Sequence, residues 1–420
     1  MKKLINTQYI DKTFWGLFIA LIVVAILALF SASSTLVYEK QSAFGPIGQQ
    51  ILFIVIGLVA AYFIQFLPTI VIRMGGYGLL GFSIICMYLM LIPGNPFVVT
   101  VNEAARWFNL FGFVFQPSEL AKLSLIIVVA DLLSRATTEV EKIKYFWWTL
   151  GITAFTVLPI LTNNLSTAVL LSGIVALLWI LARVPWKYIG AVAGCAVIIL
   201  VLGYCFVEFA YVRPHKQMTG IMSRAVTWVG RIDDLFKEHN EEEDQFKLTD
   251  DNYQRSIAKV AIARGGYSPF GVLPGNSKER DFLPLAFADY IFAIIVEETG
   301  IVGAFFLIFL YLAILFRACW TSSRFADYAS MLMVMGLALM ITCQALISMM
   351  VAVGIGPVTG QPLPLVSRGG TSVLITSVYF GVMLCVSREQ KLLSEQQNDV
   401  RRQSQEDIPD IVFDDSNLPY

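Results

Sequence analysis

Asp289-Tyr290-Ile291-Phe292-Ala293-Ile294-Ile295-Val296 opens an apolar run that continues to residue 316. At about 1.5 Å of rise per residue, a helix of that length crosses about 30 Å of hydrocarbon with residues to spare. Nine more runs read the same way, at roughly 14–34, 50–67, 75–93, 113–133, 146–161, 166–183, 187–208, 328–353 and 366–387. Composition agrees: 57% of the 420 residues are hydrophobic and 15% charged, and the mean hydropathy is +0.69. No soluble fold has that balance. The expected fold is an all-α polytopic membrane protein of about ten transmembrane helices. The first run is long and lacks a small-residue cleavage site, so it is expected to remain as a span.

Lysine and arginine set the orientation. With the N-terminus cytoplasmic, fifteen basic residues fall on cytoplasmic segments, against Lys40, Arg106 and Arg368 in short outer loops. Both termini are therefore expected on the cytoplasmic side of the membrane, and the long 209–288 segment outside it. The chain divides into a ten-span membrane domain over 1–388, with 209–288 as its large extracytoplasmic loop. A polar cytoplasmic tail follows over 389–420, in which no ordered structure is expected. Glu241-Glu242-Glu243-Asp244 reads as a solvated loop tip.

Several chemistries are excluded. The six cysteines lie in or beside apolar runs with no CxxC pair, and read as small buried hydrophobes. The two histidines, His215 and His239, both fall in the large loop, which leaves no His-based triad or metal site. No phosphate-binding loop marks an ATP-driven pump, and nothing points to nucleic acid.

Three stretches break the apolar pattern. Asp289 stands at the outer mouth of its span, where a carboxylate is costly unless solvated or used. It reads either as a helix N-cap or as a functional acid. Glu297 and Glu298 lie about 12 Å deeper on the same helix, too far to pair with it, and call for a basic partner on another span. Gln116-Pro117-Ser118-Glu119-Leu120-Ala121-Lys122 opens the fourth span. Glu119 and Lys122 are spaced to neutralise each other, or Lys122 offers its cation to an anionic ligand in a polar cavity. The segment from Gly354 to Ser372 holds too much Gly and Pro for a regular helix. Irregular backbone at membrane depth is tolerated where it lines a cavity, and its free N–H groups with Arg368 suit an anion such as a pyrophosphate. These features fit an enzyme or a transporter acting on an anionic lipid-linked substrate.

Read in order, the motifs resemble the SEDS family of FtsW/RodA type, membrane glycosyltransferases of bacterial cell-wall synthesis. The resemblance runs through Ala105-Arg106-Trp107, the Gln116–Lys122 motif, Ala261-Ile262, Gly265-Gly266 and Gly275-Asn276-Ser277. It continues through Leu283-Pro284, Asp289–Ala293 and Glu297-Glu298 to the Pro357–Pro364 and Ser367–Ser372 blocks, covering residues 10 to 388. It implies a peptidoglycan polymerase that joins lipid II into glycan strands at the outer membrane face, with undecaprenyl pyrophosphate leaving. Asp289 falls on the family's essential aspartate, as general base. Lys122, Arg106, Glu119, Ser367, Arg368, Gly369, Gly370, Asn276 and Ser277 fall on positions expected to bind substrate. No metal-ligand set is implied; a divalent cation, Mg or Mn, is compatible with the leaving charge, though no motif demands one. The implied partners are a class B penicillin-binding protein and other divisome proteins. The general resemblance leans to the FtsW-like division branch over RodA-like elongation; a lipid-linked precursor flippase is the competing class.

Departures from the family pattern stand out. Leu285 and Phe287 occupy places where the family has Glu and His ahead of Asp289. Asn163-Asn164-Leu165-Ser166-Thr167 stands where a Pro-Asp-Leu-Gly-Thr run is usual, which removes one anionic group. Arg368 takes a place often held by Tyr.

Overall fold

A computed structural model of the chain describes residues 9–32, 44–92, 94–101, 104–110, 112–209, 229–230, 253–273, 275–279, 282, 289–356 and 360–406. Leu283-Pro284, Leu285, Phe287, both histidines, the 241–244 acidic stretch and residues 357–359 lie outside the described residues.

The described helices are α1 (Lys12–Ala32), α2 (Phe44–Ile64), α3 (Thr69–Leu89), α4 (Pro117–Ser134), α5 (Glu139–Asn163), α6 (Leu165–Leu181), α7 (Trp186–Val207), α8 (Tyr253–Gly266), α9 (Ile291–Ser322), α10 (Tyr328–Val353) and α11 (Gly370–Glu406). Each of the ten expected runs is a helix. Eight of the described helices are long and apolar enough to cross a membrane. The other two fall short for physical reasons: α6 has only 17 residues, and α4 carries Glu119, Lys122 and Asp131.

Those three charges tell where α4 sits. A lipid-facing helix could not hold them, but α4 is buried on nearly every side, from Pro117 to Leu133. It packs with α10 and α11, whose apolar windows are 72% and 78% buried, into the centre of the bundle. In α7 the same figure is 6%, so that helix presents its apolar sides outward.

One face of the bundle is closed by ion pairs. Asp11 accepts from Arg317 Nη2 (2.6 Å) and from Ser387 Oγ (3.2 Å), with Lys391 Nζ at 3.7 Å. Burial pushes the Asp11 carboxyl up, but the Arg317 hydrogen bond and the neighbouring positive charges outweigh it and hold the group below the ordinary carboxylate range. On the same face Arg73 bonds Asp327, Arg135 bonds Asp131 (2.6 Å), and the buried Arg388 donates Nε to Gln65 O (2.8 Å). The first and last spans thus begin and end on one side.

Three features differ from the sequence expectation. The connection after α3 forms an antiparallel sheet of β1 (Val98–Val101), β2 (Ala104–Leu110) and β3 (Phe113–Phe115), with β2 in the middle. The tail expected to lack order continues α11 as helix to Glu406. Its Glu, Gln, Lys and Arg residues are good helix formers that extend a helix already nucleated. Within the large loop, α8 packs directly on α9 rather than standing in solvent. Its small-residue side, Ser256, Ala258, Ala261 and Gly265, is buried.

That packing explains a break in α9. Gly300 has φ 67° and ψ −162°, a backbone conformation that L residues avoid. The backbone groups freed there find partners in the loop: Val272 N donates to Glu297 O (2.9 Å), and Val302 N donates to Pro269 O (3.1 Å). A Cβ on Gly265 would come within 2.6 Å of Glu297 Cα, so the close approach needs glycine there too. Gly300→Ala is expected to destabilise by at least about 1–3 kcal/mol, because the methyl would also strike Gly271 and Pro269. A melting midpoint unchanged in detergent would contradict this.

Candidate functional site

The acid at the mouth of α9 is not its cap. Tyr290 occupies the N-cap position, without a side-chain cap bond, and α9 begins at Ile291, so Asp289 lies before the helix. The N-cap reading is therefore set aside. Asp289 is half-buried, beside the fully buried Tyr290.

Arg106 reaches the same place from the sheet. β2 carries it at a bulge, where the register passes from Trp107 directly to Ala105, and Phe108, two residues on, lies on the buried face. Phe108 anchors that face in a small cluster with Cys86, Met90 and Phe115. A Cβ placed on Gly360 would lie 3.6 Å from Arg106 Nη1 and 3.9 Å from Asp289 Oδ2. The fold thus brings carboxylate and guanidinium together beside Gly360, whose φ of 59° favours glycine.

The backbone carrying Gly360 is pinned from several helices. Gln361 Nε2 donates to Thr167 Oγ1 on α6. Gln344 Nε2 on α10 donates to Pro362 O (3.0 Å), and Tyr311 on α9 donates its hydroxyl to Pro364 O (2.6 Å). Leu363 N donates to Ser367 Oγ (2.8 Å), and Ser367 N to Leu363 O (2.9 Å). These two N–H groups, expected to be available to an anion, are spent on closing the segment's own turn. Gly369 follows that turn, with α11 beginning at Gly370, where a Cβ would sit 2.5 Å from the Phe53 ring. Arg368 is half-buried between them.

Behind this segment lies the pair on α4. Lys122 Nζ bonds Glu119 Oε1 at 2.6 Å and donates to Gln344 Oε1 at 3.0 Å, and the lysine is fully buried. Of the two readings of this pair, the geometry shows mutual neutralisation. Through Gln344 it also reaches Pro362, so an ion pair on α4 is tied to the backbone beside Gly360.

Asn276 and Ser277 are brought elsewhere. Ser277 donates its hydroxyl to Glu297, Lys278 N donates to Glu297 Oε1 (3.1 Å), and Gly275 N donates to Glu298 Oε1 (3.1 Å). Asn276 Nδ2 donates to Val272 O (3.1 Å). The basic partner of Glu297 is Arg264 Nη1, at 3.4 Å. It comes from α8 in the large loop and not, as expected, from another span, because the break at Gly300 opens α9 to that loop. Glu298 also accepts from Ser31 on α1. These two glutamates hold the loop on the bundle.

Sequence reading passed over Gln344, Thr167 and Arg264. Gln344 carried a visible signal, as a lone amide in the apolar run 328–353. Asn164, at the departure from the family pattern, caps α6 by accepting from Thr167 N (3.1 Å), a bond that places Thr167 to receive Gln361. Among the described residues no group of three or more His, Cys, Asp or Glu side chains gathers to hold a metal.

The profile of a cell cycle protein family comprising FtsW, RodA and SpoVE matches residues 11–392. The chain belongs to the FtsW/RodA/SpoVE family. It is 30% identical to a probable peptidoglycan glycosyltransferase FtsW of Marinomonas mediterranea, over 96% of this chain and 94% of that one. It is 28% identical to the peptidoglycan glycosyltransferase MrdB of Escherichia coli K12, over 92% and 96%. Among solved structures it resembles Thermus thermophilus RodA, with a TM-score of 0.61 and 22% identity over 92% of this chain and 99% of that one. It also resembles a chain of a peptidoglycan synthase complex that coordinates polymerization and crosslinking, with a TM-score of 0.69 and 23% identity over 91% and 98%. The FtsW/RodA/SpoVE fold is thereby shared along nearly the whole chain.

Proposed function

We propose that the protein is a peptidoglycan glycosyltransferase that polymerises lipid II, with Asp289 as general base. The observation that carries this is the convergence of Asp289 and Arg106 beside Gly360, in a chain whose relatives are named for that activity. Asp289 takes the proton from the acceptor sugar hydroxyl as its oxygen attacks the anomeric carbon of the donor. The bond from that carbon to the pyrophosphate breaks, and undecaprenyl pyrophosphate leaves from the opposite face with the electron pair, inverting the configuration. Arg106 offsets the negative charge that develops, and the half-buried Arg368 adds to the positive field. Lys122 acts at one remove: bonded to Glu119 and Gln344, it holds the backbone beside Gly360 in place. Asp289 stands at the end of α9 opposite Arg317 and the Asp11 ion pairs, the end that the lysine and arginine distribution assigns to the outside.

The family resemblance and the similarity to a chain of a peptidoglycan synthase complex support a class B penicillin-binding protein as partner. The lean to division rests on general resemblance, and the 30% and 28% identities to an FtsW and to MrdB are nearly equal. Co-purification with a division or an elongation transpeptidase decides the branch. The activity itself is tested with the purified wild type and its partner, given labelled lipid II in the presence of penicillin. Glycan strands on a gel are the expected result. Lipid II moved across a vesicle membrane with no strand formed would instead support a flippase.

A further inference from the structure

Among the described residues an apolar cavity, open along one side, lies away from Asp289. A groove of about 740 Å3 runs between α3 and α5, floored by α4 at Val128. Its volume falls within the about 300–1,000 Å3 of small-ligand sites. The walls are apolar, from Leu80 and Ile84 on one side and Trp148 and Phe155 on the other. Along α5 it extends from Lys144 to Phe155, about 16 Å of helical rise. That is about half of a 30 Å hydrocarbon layer, the depth of one leaflet.

The charge in the groove is confined to one end. Lys144 lines it there and is exposed, its Nζ 5.8 Å from the centre of the Tyr145 ring. Beside it, Tyr77 also lines the groove, and Arg135 Nη2 lies 3.5 Å from the Tyr77 hydroxyl, with the arginine side chain 53% exposed. Each nearby carboxylate has partners of its own, and one of them, Asp131, is bonded to Arg135 itself. Asp131 bonds Arg135 (2.6 Å), accepts from Tyr77 (2.8 Å) and has Arg73 at 3.7 Å. Glu139 pairs with Lys142, and Glu141 closes the capping box with Thr138. Among the described residues Lys144 enters no ion pair. Trp147 and Trp148 are 55% and 60% exposed at this end, as aromatic side chains are at a membrane–water interface.

We propose that this groove binds one acyl chain of an anionic phospholipid, whose phosphate is held by Lys144 and Arg135. Some chain fills any apolar groove open to the bilayer; Lys144, with the Asp131-bonded Arg135 near it, decides which headgroup sits at its mouth. A phosphodiester without an amine matches them, whereas the ammonium of a zwitterionic lipid is repelled. The site needs no part of the proposed polymerase chemistry, and its test reads binding alone.

Gly81 and Gly151 line the groove, and a Cβ on either meets nothing within 4 Å. A larger side chain at either position therefore starts out into the groove. The full-length protein in detergent is equilibrated with equal amounts of dioleoyl phosphatidylglycerol and dioleoyl phosphatidylethanolamine, and the bound lipid is counted by native mass spectrometry. Wild type is expected to retain phosphatidylglycerol in preference. Lys144→Gln, at an exposed site, is expected to bind it about fivefold more weakly while phosphatidylethanolamine stays unchanged. Gly151→Leu is expected to lose both lipids, with an elution profile like wild type. Equal retention of the two lipids by wild type overturns the proposal. So does a preference that survives both substitutions, or displacement of phosphatidylglycerol by undecaprenyl phosphate at equal concentration.

Discussion

Asp289→Asn is expected to lower the turnover of lipid II polymerisation by about a hundred- to ten-thousand-fold, the range for losing a general base. Asparagine keeps the size and polarity of the side chain but cannot take the acceptor proton. Tyr290, not Asp289, holds the N-cap position of α9, which the substitution leaves unchanged. The melting midpoint should therefore stay near wild type, and the loss should fall on kcat with KM little changed. The pH dependence sharpens the point. The wild-type rate falls on the acid side as the base is protonated, and the residual rate of the variant lacks that limb. A variant whose KM rises while kcat holds would make Asp289 a binding group instead.

Lys122→Met is expected to cost about 3–5 kcal/mol of stability, because it leaves Glu119 buried as a lone charge. The pair is 2.6 Å apart with side chains 1% and 8% exposed, so water cannot compensate. Replacing both residues, as Glu119→Gln with Lys122→Met, should restore most of the melting midpoint, since neutral groups of similar shape carry no such penalty. The double variant also separates two roles for the lysine. If Lys122 works by holding Gln344 and Pro362, polymerisation returns in part along with the fold. If its ammonium touches the phosphates directly, the double variant folds but stays as inactive as the single one.

The spans were legible because length and hydropathy are a direct consequence of the bilayer, and all ten runs are helices. The central position of α4 was foreshadowed by Glu119 and Lys122, which only a buried helix can carry. The sheet was not legible. β1 and β3 have four and three residues, too few to show a period, and they sit in a connection between apolar runs. Nor was α8, whose buried side is made of small residues instead of an apolar stripe. The partner of Glu297 comes from α8 and not from another span, because the backbone break at Gly300 turns α9 toward the loop. At the site itself, Asp289 and Arg106 were each singled out from sequence. Their meeting at Gly360 was not, because one lies on a strand and the other before a helix, far apart in the chain.

The central claim is that Asp289 is the base, and small carboxylates test it most directly. Asp289→Ala, with its partner and penicillin present, is given labelled lipid II with and without formate, and strand formation is followed on a gel. The account predicts no polymer without formate and a rate that rises with formate concentration, as the small anion enters the space left by the side chain. Polymer at the wild-type rate from Asp289→Ala without formate would contradict it.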